Sequence, residues 1–200
     1  MKKIMMTVGT LGFIFTLLAG CGGQINGSSS DQMNAEAAEK NSGSKDSKAP
    51  EKVTSEVKKG DFILRFVSEK KIYQPEEKLQ IYAMLKYVGE KPEIKIYHGM
   101  SPIVFTKVVE KNRGITIQGA QLLPLKSTTL QKGKWYKKGY AKSGGFSENT
   151  PHADFIKKFL NGEGFPEGNY DVTAAAQFFI KKGGQEKDFR FSTKINVQVK

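Results

Sequence analysis

The chain predicts a mainly β protein, an antiparallel β-sandwich with one short helix insert, preceded by an apolar leader and a polar linker. Three observations carry this expectation. Apolar residues recur with period two in seven or so short segments after residue 60, and Gly-, Pro- and Asn-containing turns separate them. All seven Tyr, the single Trp and every Phe beyond the leader fall in residues 61–200. Only residues 150–162 show helical spacing in that region.

Met1 to Gly20 has the layout of a secretory signal: Lys2 and Lys3, an apolar run from Ile4 to Leu18, then small residues. Thr7, Gly9, Thr10 and Gly12 interrupt the run, and a membrane-spanning helix needs about 20 apolar residues. Cleavage is therefore expected. Leu18-Ala19-Gly20-Cys21 resembles the lipobox of bacterial lipoproteins. That resemblance implies a diacylglycerol on the Cys21 thiol, a cut just before it, and anchorage at the extracytoplasmic face of the cell membrane. Two acyl chains make such an anchor stable, since a single chain binds only marginally. The alternative for a lone Cys is a small buried hydrophobe, but Gly22, Gly23 and Gln24 offer no core to enter.

Residues 21–60 contain no aromatic side chain and are dominated by Ser, Gly, Asn, Lys and Glu. Such a stretch buries too little apolar surface to offset the entropy of ordering it, and reads as a disordered, lipid-anchored linker. A flexible coil of that length has ends on the order of 35 Å apart. Its charges balance, and Lys2 and Lys3 belong to the leader, so +10 of the formal +12 lies in residues 61–200. With the only thiol acylated, neither a disulfide nor a cysteine metal site is expected.

Phe62 to Val67 opens the domain as a β-branched and aromatic strand, and Tyr73-Gln74-Pro75-Glu76-Glu77 reads as a turn. Leu79, Ile81, Ala83, Leu85 and Tyr87 alternate with Gln80, Tyr82, Met84 and Lys86, the pattern of a strand with one buried face. Residues 94–98, 103–109 and 115–117 follow as further strands. Pro124 confines any strand near it to a sheet edge. In residues 150–162, Thr150 reads as the cap and Pro151 as the first helical residue; Phe155, Ile156, Phe159 and Leu160 share one face. Tyr170 to Phe178 and Phe189 to Val199 alternate on either side of Lys182-Gly183-Gly184-Gln185, which predicts a long hairpin.

Leu130-Gln131-Lys132-Gly133 and Pro166-Glu167-Gly168-Asn169-Tyr170 resemble the late strands of immunoglobulin-like domains. The resemblance extends to the immunoglobulin-like C-terminal domains of lipoproteins from Gram-positive bacteria, and to small proteinase-inhibitor domains of the BsuPI kind. It implies a tyrosine corner, in which the Tyr170 hydroxyl bonds back to the chain a few residues upstream. The inter-sheet cysteines of immunoglobulin domains are missing, and the helix insert departs from the pattern.

Nucleophilic catalysis needs Ser or Cys beside His and an orienting acid. His98 and His152 are the only histidines, and no Gly-x-Ser-x-Gly occurs. No ligand-spaced cluster of His and acids points to a metal, and Lys142-Ser143-Gly144-Gly145-Phe146 lacks the context of a phosphate loop. An enzyme, a metal site and a cofactor other than the covalent lipid are not expected. Nucleic acid is not expected either, because the chain is exported and carries no recognition motif.

The stretch that points outward is Lys134-Trp135-Tyr136-Lys137-Lys138-Gly139-Tyr140-Ala141-Lys142. Lys134, Trp135, Tyr136, Lys137, Lys138, Tyr140 and Lys142 together suit an anionic or carbohydrate surface, with rings stacking and cations pairing. The alternative is an edge strand whose lysines block aggregation while Trp135 or Tyr136 faces the core. The functional expectation is a non-catalytic surface lipoprotein that binds an anionic wall polymer or an envelope protein. A proteinase inhibitor presenting Ala141 to Thr150 is the alternative.

Overall fold

A computed structural model of the chain describes residues 51–120 and 124–200. Cys21 and the leader lie outside them. Two sheets, antiparallel but for one short parallel pairing, face each other across one core. The first contains β1 (Val53–Lys59), β2 (Phe62–Ser68), β4 (Ile81–Tyr87) and β9 (Trp135–Gly139), in that spatial order. The second is built on the hairpin of β10 (Gly168–Lys182) and β11 (Gln185–Val199). On one flank, β3 (Ile72–Tyr73) runs parallel to β11. On the other, β6 (Ile103–Glu110) pairs with β10 along Tyr170–Ala176, and β5 (Glu93–His98) meets it at Phe179. β7 (Ile115–Gln118) extends β6, and β8 (Lys126–Gln131) extends β5.

Period two explains the sandwich. Phe62, Leu64 and Phe66 of β2 and Ala83, Leu85 and Tyr87 of β4 point inward, against Val172, Ala174, Phe178, Phe189 and Ile195 of the second sheet. Phe62 sits 4.8 Å from both Phe178 and Phe189, edge to face, and ties the layers together. The two-residue loop Gly183-Gly184 has φ values of 58° and 79°, the doubly positive geometry of a tight hairpin turn that glycine adopts without strain.

Three expectations change. The linker expected over residues 21–60 ends early, because Val53–Lys59 is strand β1, paired in register with β2 from Val53↔Ser68 to Lys59↔Phe62. Val53 and Val57 pack against the core and Ser55 bonds Thr193 at 2.5 Å, so alternation without any aromatic residue suffices for an edge strand. The turn expected at Tyr73 begins with β3, whose Tyr73 is buried and shares a hydrogen bond with Ser68. The helix α1 covers Ala153–Asn161, three residues past the expected cap. Thr150 is occupied elsewhere: its Oγ1 accepts the Ser147 N–H at 2.9 Å, and His152 takes the helix-entry position with φ 62°. Ile156 and Phe159 are buried as the helical stripe predicts, and Phe159 lies 4.6 Å from Phe165.

The Tyr170 hydroxyl donates to the Pro166 carbonyl at 2.6 Å, which is the corner bond expected from the late strands. Directly opposite Tyr170, at the end of β6, Glu110 is completely buried. Its Oε1 accepts the N–H groups of Asn112 at 3.1 Å and Asn169 at 3.0 Å; Oε2 accepts the Arg113 N–H at 2.8 Å, with Arg113 Nη1 at 3.3 Å. Burial opposes the charge, but these donors outweigh it and hold the carboxyl below its ordinary 4.5. Gly168 makes the room, since a Cβ there would stand 2.8 Å from Glu110 Oε1.

Candidate functional site

The middle of the Lys-aromatic stretch folds as β9, which among the described residues pairs with β4 alone and forms one edge of the first sheet. A strand sends alternate side chains to opposite faces, so the stretch is divided between them. Tyr136, opposite Leu85, packs against the core. Trp135, opposite Lys86, and Lys137, opposite Met84, lie on the outer face. Lys134 and Lys138 are exposed, the first in the turn before the strand and the second beside a cleft of about 530 Å³ under Phe105.

Tyr140 and Lys142 belong to the interior packing. The Tyr140 ring meets Phe105 at 5.0 Å and Phe165 at 5.7 Å, and burial pushes its hydroxyl pKa far up. Lys142 reaches the end of α1, where its ammonium donates to the carbonyls of Gly162, at 2.5 Å, and Gly164. Desolvation lowers its pKa against the pull of Glu76. A cation bound to two backbone carbonyls fastens the 140–145 segment to the helix end. It is committed there, and a single patch containing all seven residues does not form.

The outer face of the first sheet gathers other residues around Trp135 and Lys137. Register places Lys58, Ile63, Lys86 and Trp135 in one cross-strand row and Glu56, Arg65, Met84 and Lys137 in the next. Arg65 Cζ is 4.7 Å and Lys86 Nζ 4.3 Å from the Trp135 ring centroid. Lys137 Nζ stands 3.6 Å over the Tyr82 ring. Arg65 Nε donates to Glu56 at 2.6 Å, while the Tyr82 hydroxyl and Lys52 both donate to Glu69 Oε1, at 2.6 and 3.0 Å. The Tyr82 bond, seconded by Lys52, holds the Glu69 carboxyl below its ordinary range. Five cations, Lys52, Lys58, Arg65, Lys86 and Lys137, thus share the face with two carboxylates that are already paired.

Arg65, Lys86, Lys58 and Tyr82 escape a reading confined to one segment, because they come from three other strands. Their signal is present in the sequence: each is an outward position of an alternating strand, as Arg65 is between Leu64 and Phe66. Register alone brings them together.

Neither histidine belongs to this sheet. His98 is buried, with Nδ1 2.9 Å from the Gly99 carbonyl and Nε2 2.8 Å from Thr128 Oγ1. Nδ1 therefore carries the proton and Nε2 accepts from the hydroxyl. Burial, with a smaller push from Lys126, lowers its pKa below 6.5. His152 is exposed at the entry to α1. Among the described residues no group of three His, Cys, Asp or Glu is placed to hold a metal ion. The lipidation expected at Cys21 lies outside the described residues. Compared with protein-family models, curated proteins and solved structures, the chain matches none.

Proposed function

We propose that this chain is a lipoprotein held by a diacylglycerol on Cys21 at the extracytoplasmic face of the membrane, and that its β-sandwich is a non-catalytic module binding an anionic polymer of the envelope. The observation that carries the binding reading is the outer face of the first sheet, where three of five cations rest on aromatic rings. A cation over a ring keeps its charge and gives up side-chain freedom before a ligand arrives, which lowers the entropic cost of binding. The leader and Leu18-Ala19-Gly20-Cys21 support the anchor.

Two experiments test the two halves. Cys21→Ser should move the protein from the membrane fraction to the medium; retention in the membrane would refute the anchor. For the module, Arg65→Gln, Lys86→Gln and Lys137→Gln combined should weaken retention on purified cell wall and flatten its salt dependence by about one log–log unit per cation. Retention and slope equal to the parent's would remove the face from the proposal.

The inhibitor reading stands second, on the observation that Phe146, in the loop between β9 and α1, is 40% exposed. A panel of secreted proteases decides it: inhibition relieved by Phe146→Ala supports it, and cleavage of the loop without inhibition removes it.

A further inference from the structure

The cations on the outer face are ordered as well as numerous. Lys58 on β1 and Lys86 on β4 lie in one cross-strand row; Arg65 on β2 and Lys137 on β9 lie in the adjacent row. Crossing the sheet from β1 to β9, each strand contributes one cation, and successive cations alternate between the two rows. Diagonal neighbours of this kind are about 7–8 Å apart at the backbone. Four strands at a spacing of about 4.8 Å give the zigzag a span of roughly 15 Å.

The next row, Thr54, Val67, Tyr82 and Gly139, carries no charge, and beyond it Lys52 is paired with Glu69. Beyond the two rows on that side the charge is compensated, and within them the one carboxylate, Glu56, is paired with Arg65. Lys86 and Lys58 have no carboxylate partner among the described residues. Arg65 donates only its Nε to Glu56, and among the described residues no hydrogen-bond acceptor meets its two Nη groups, though the guanidinium lies over Trp135. Those groups form the end of the guanidinium fork that suits phosphate oxygens.

From this arrangement we infer that the ligand is a linear phosphate polymer laid across the strands, its charges taken in turn by Lys58, Arg65, Lys86 and Lys137. The inference rests on the anionic-ligand reading above and specifies its chemistry and direction. Trp135 is then a positioning residue: with Arg65 and Lys86 both within 5 Å of its centroid, a sugar ring would have to displace a cation to stack there. A neutral glycan supplies nothing to compensate for that loss. A bilayer surface would meet the face in two dimensions, Glu69 included, and would leave the one-dimensional order of the cations without use.

The full-length chain in nanodiscs of neutral lipid is titrated with inorganic polyphosphates of graded length. Tripolyphosphate is too short to reach both ends of the line, so it should bind at least about tenfold more weakly than a chain of some ten phosphates, the difference expected for losing one or two charge-assisted contacts. Further lengthening should add little per site. Lys58→Gln and Lys137→Gln, at opposite ends, should each weaken the long chain several-fold and narrow its advantage over tripolyphosphate. Lys107→Gln, on the outer face of the second sheet, removes the same charge and should leave both affinities unchanged. Trp135→Leu should weaken the long chain although the ring makes no contact with it, and Trp135→Phe should restore part of the loss.

Equal affinity for short and long chains, with Arg65→Gln and Lys86→Gln still weakening both, would overturn the linear ligand and leave the anion-binding face in place. Equal effects of Lys107→Gln and the end variants would overturn the line in favour of general basicity. Absence of any polyphosphate binding at moderate salt would overturn both readings. Co-sedimentation with anionic vesicles that responds to the face variants, without a length effect on polyphosphate, would transfer the face to the membrane and overturn the inference.

Discussion

Replacing Glu110 should damage the fold more than any surface change, and the reason can be worked from its contacts. Its carboxylate is fully buried and satisfies three backbone N–H groups, on Asn112, Arg113 and Asn169, that belong to two separate chain segments. Glu110→Ala leaves all three donors and the Arg113 guanidinium without their acceptor. An unsatisfied buried donor costs about 1–3 kcal/mol and three are left, while the half-exposed Arg113 guanidinium is solvated and adds little, so we expect a loss of about 3–5 kcal/mol. For a domain of this size that is a fall in Tm of roughly 10 °C or more. Glu110→Gln keeps one acceptor oxygen but turns an NH₂ toward N–H donors, and should lose about half as much.

The acid limb of stability gives the second readout. The folded carboxyl titrates below its ordinary 4.5, so the unfolded state binds more protons as pH falls through that range. Its contribution is complete above 4.5 and is lost as pH falls toward the folded value. Urea melts of parent and Glu110→Gln between pH 7 and 3 should therefore converge toward the acid end. A Glu110→Ala protein within about 1 kcal/mol of the parent, with the same pH dependence, would refute the account of this carboxylate as the tie between the β6–β7 turn and the start of β10.

Three further outcomes are expected. Gly164→Ala would place a Cβ 2.3 Å from the Glu77 carbonyl oxygen, against backbone that cannot swing away, and should cost about 1–3 kcal/mol by overpacking; an unchanged urea midpoint would contradict the close approach of residues 74–77 to the helix exit. Tyr170→Phe removes the donor to the Pro166 carbonyl and should cost about 1–2 kcal/mol, read by thermal melting, with no change of fold by circular dichroism. His98 is neutral in the folded state and its pKa is lowered, so its contribution is full above 6.5 and is lost as pH falls toward the folded value. NMR titration should find its ring protonating below 6.5, and a value above 6.5 would contradict the buried tautomer.

Much of the fold was legible because burial imposes a period. The hairpin β10–β11 alternates over its whole inward face, from Tyr170 to Phe178 and back from Phe189 to Val199, and the loop between is two glycines. The strand β1 was not legible from aromatic content, since it lies at a sheet edge and needs only Val53, Ser55 and Val57 facing inward. The helix start was displaced by a local competition: Thr150 caps the Ser147 turn instead of the helix, a choice that sequence spacing does not distinguish. Glu110 gave no sign at all, because a buried acid and an exposed acid at a strand end look alike until the turn folds over it.

The candidate site shows a different limit. In and around β9, composition marked seven residues, but alternation sends Trp135 and Lys137 outward and Tyr136 inward, and the chain beyond the strand draws Tyr140 into the core and Lys142 to the helix end. What replaces the lost members comes from β1, β2 and β4 at positions that only strand register makes adjacent. A slip of one residue between β4 and β9 would turn Trp135 toward the core and dissolve the face while leaving every sequence feature intact. Register is fixed from the other side of the sheet, by Leu85 and Tyr136 facing the core together, so the packing of the interior determines which charges meet on the surface. A core variant such as Tyr136→Ser should on this argument disturb the order of the outer cations, and with it any length preference for a polyanion, without removing a single charge.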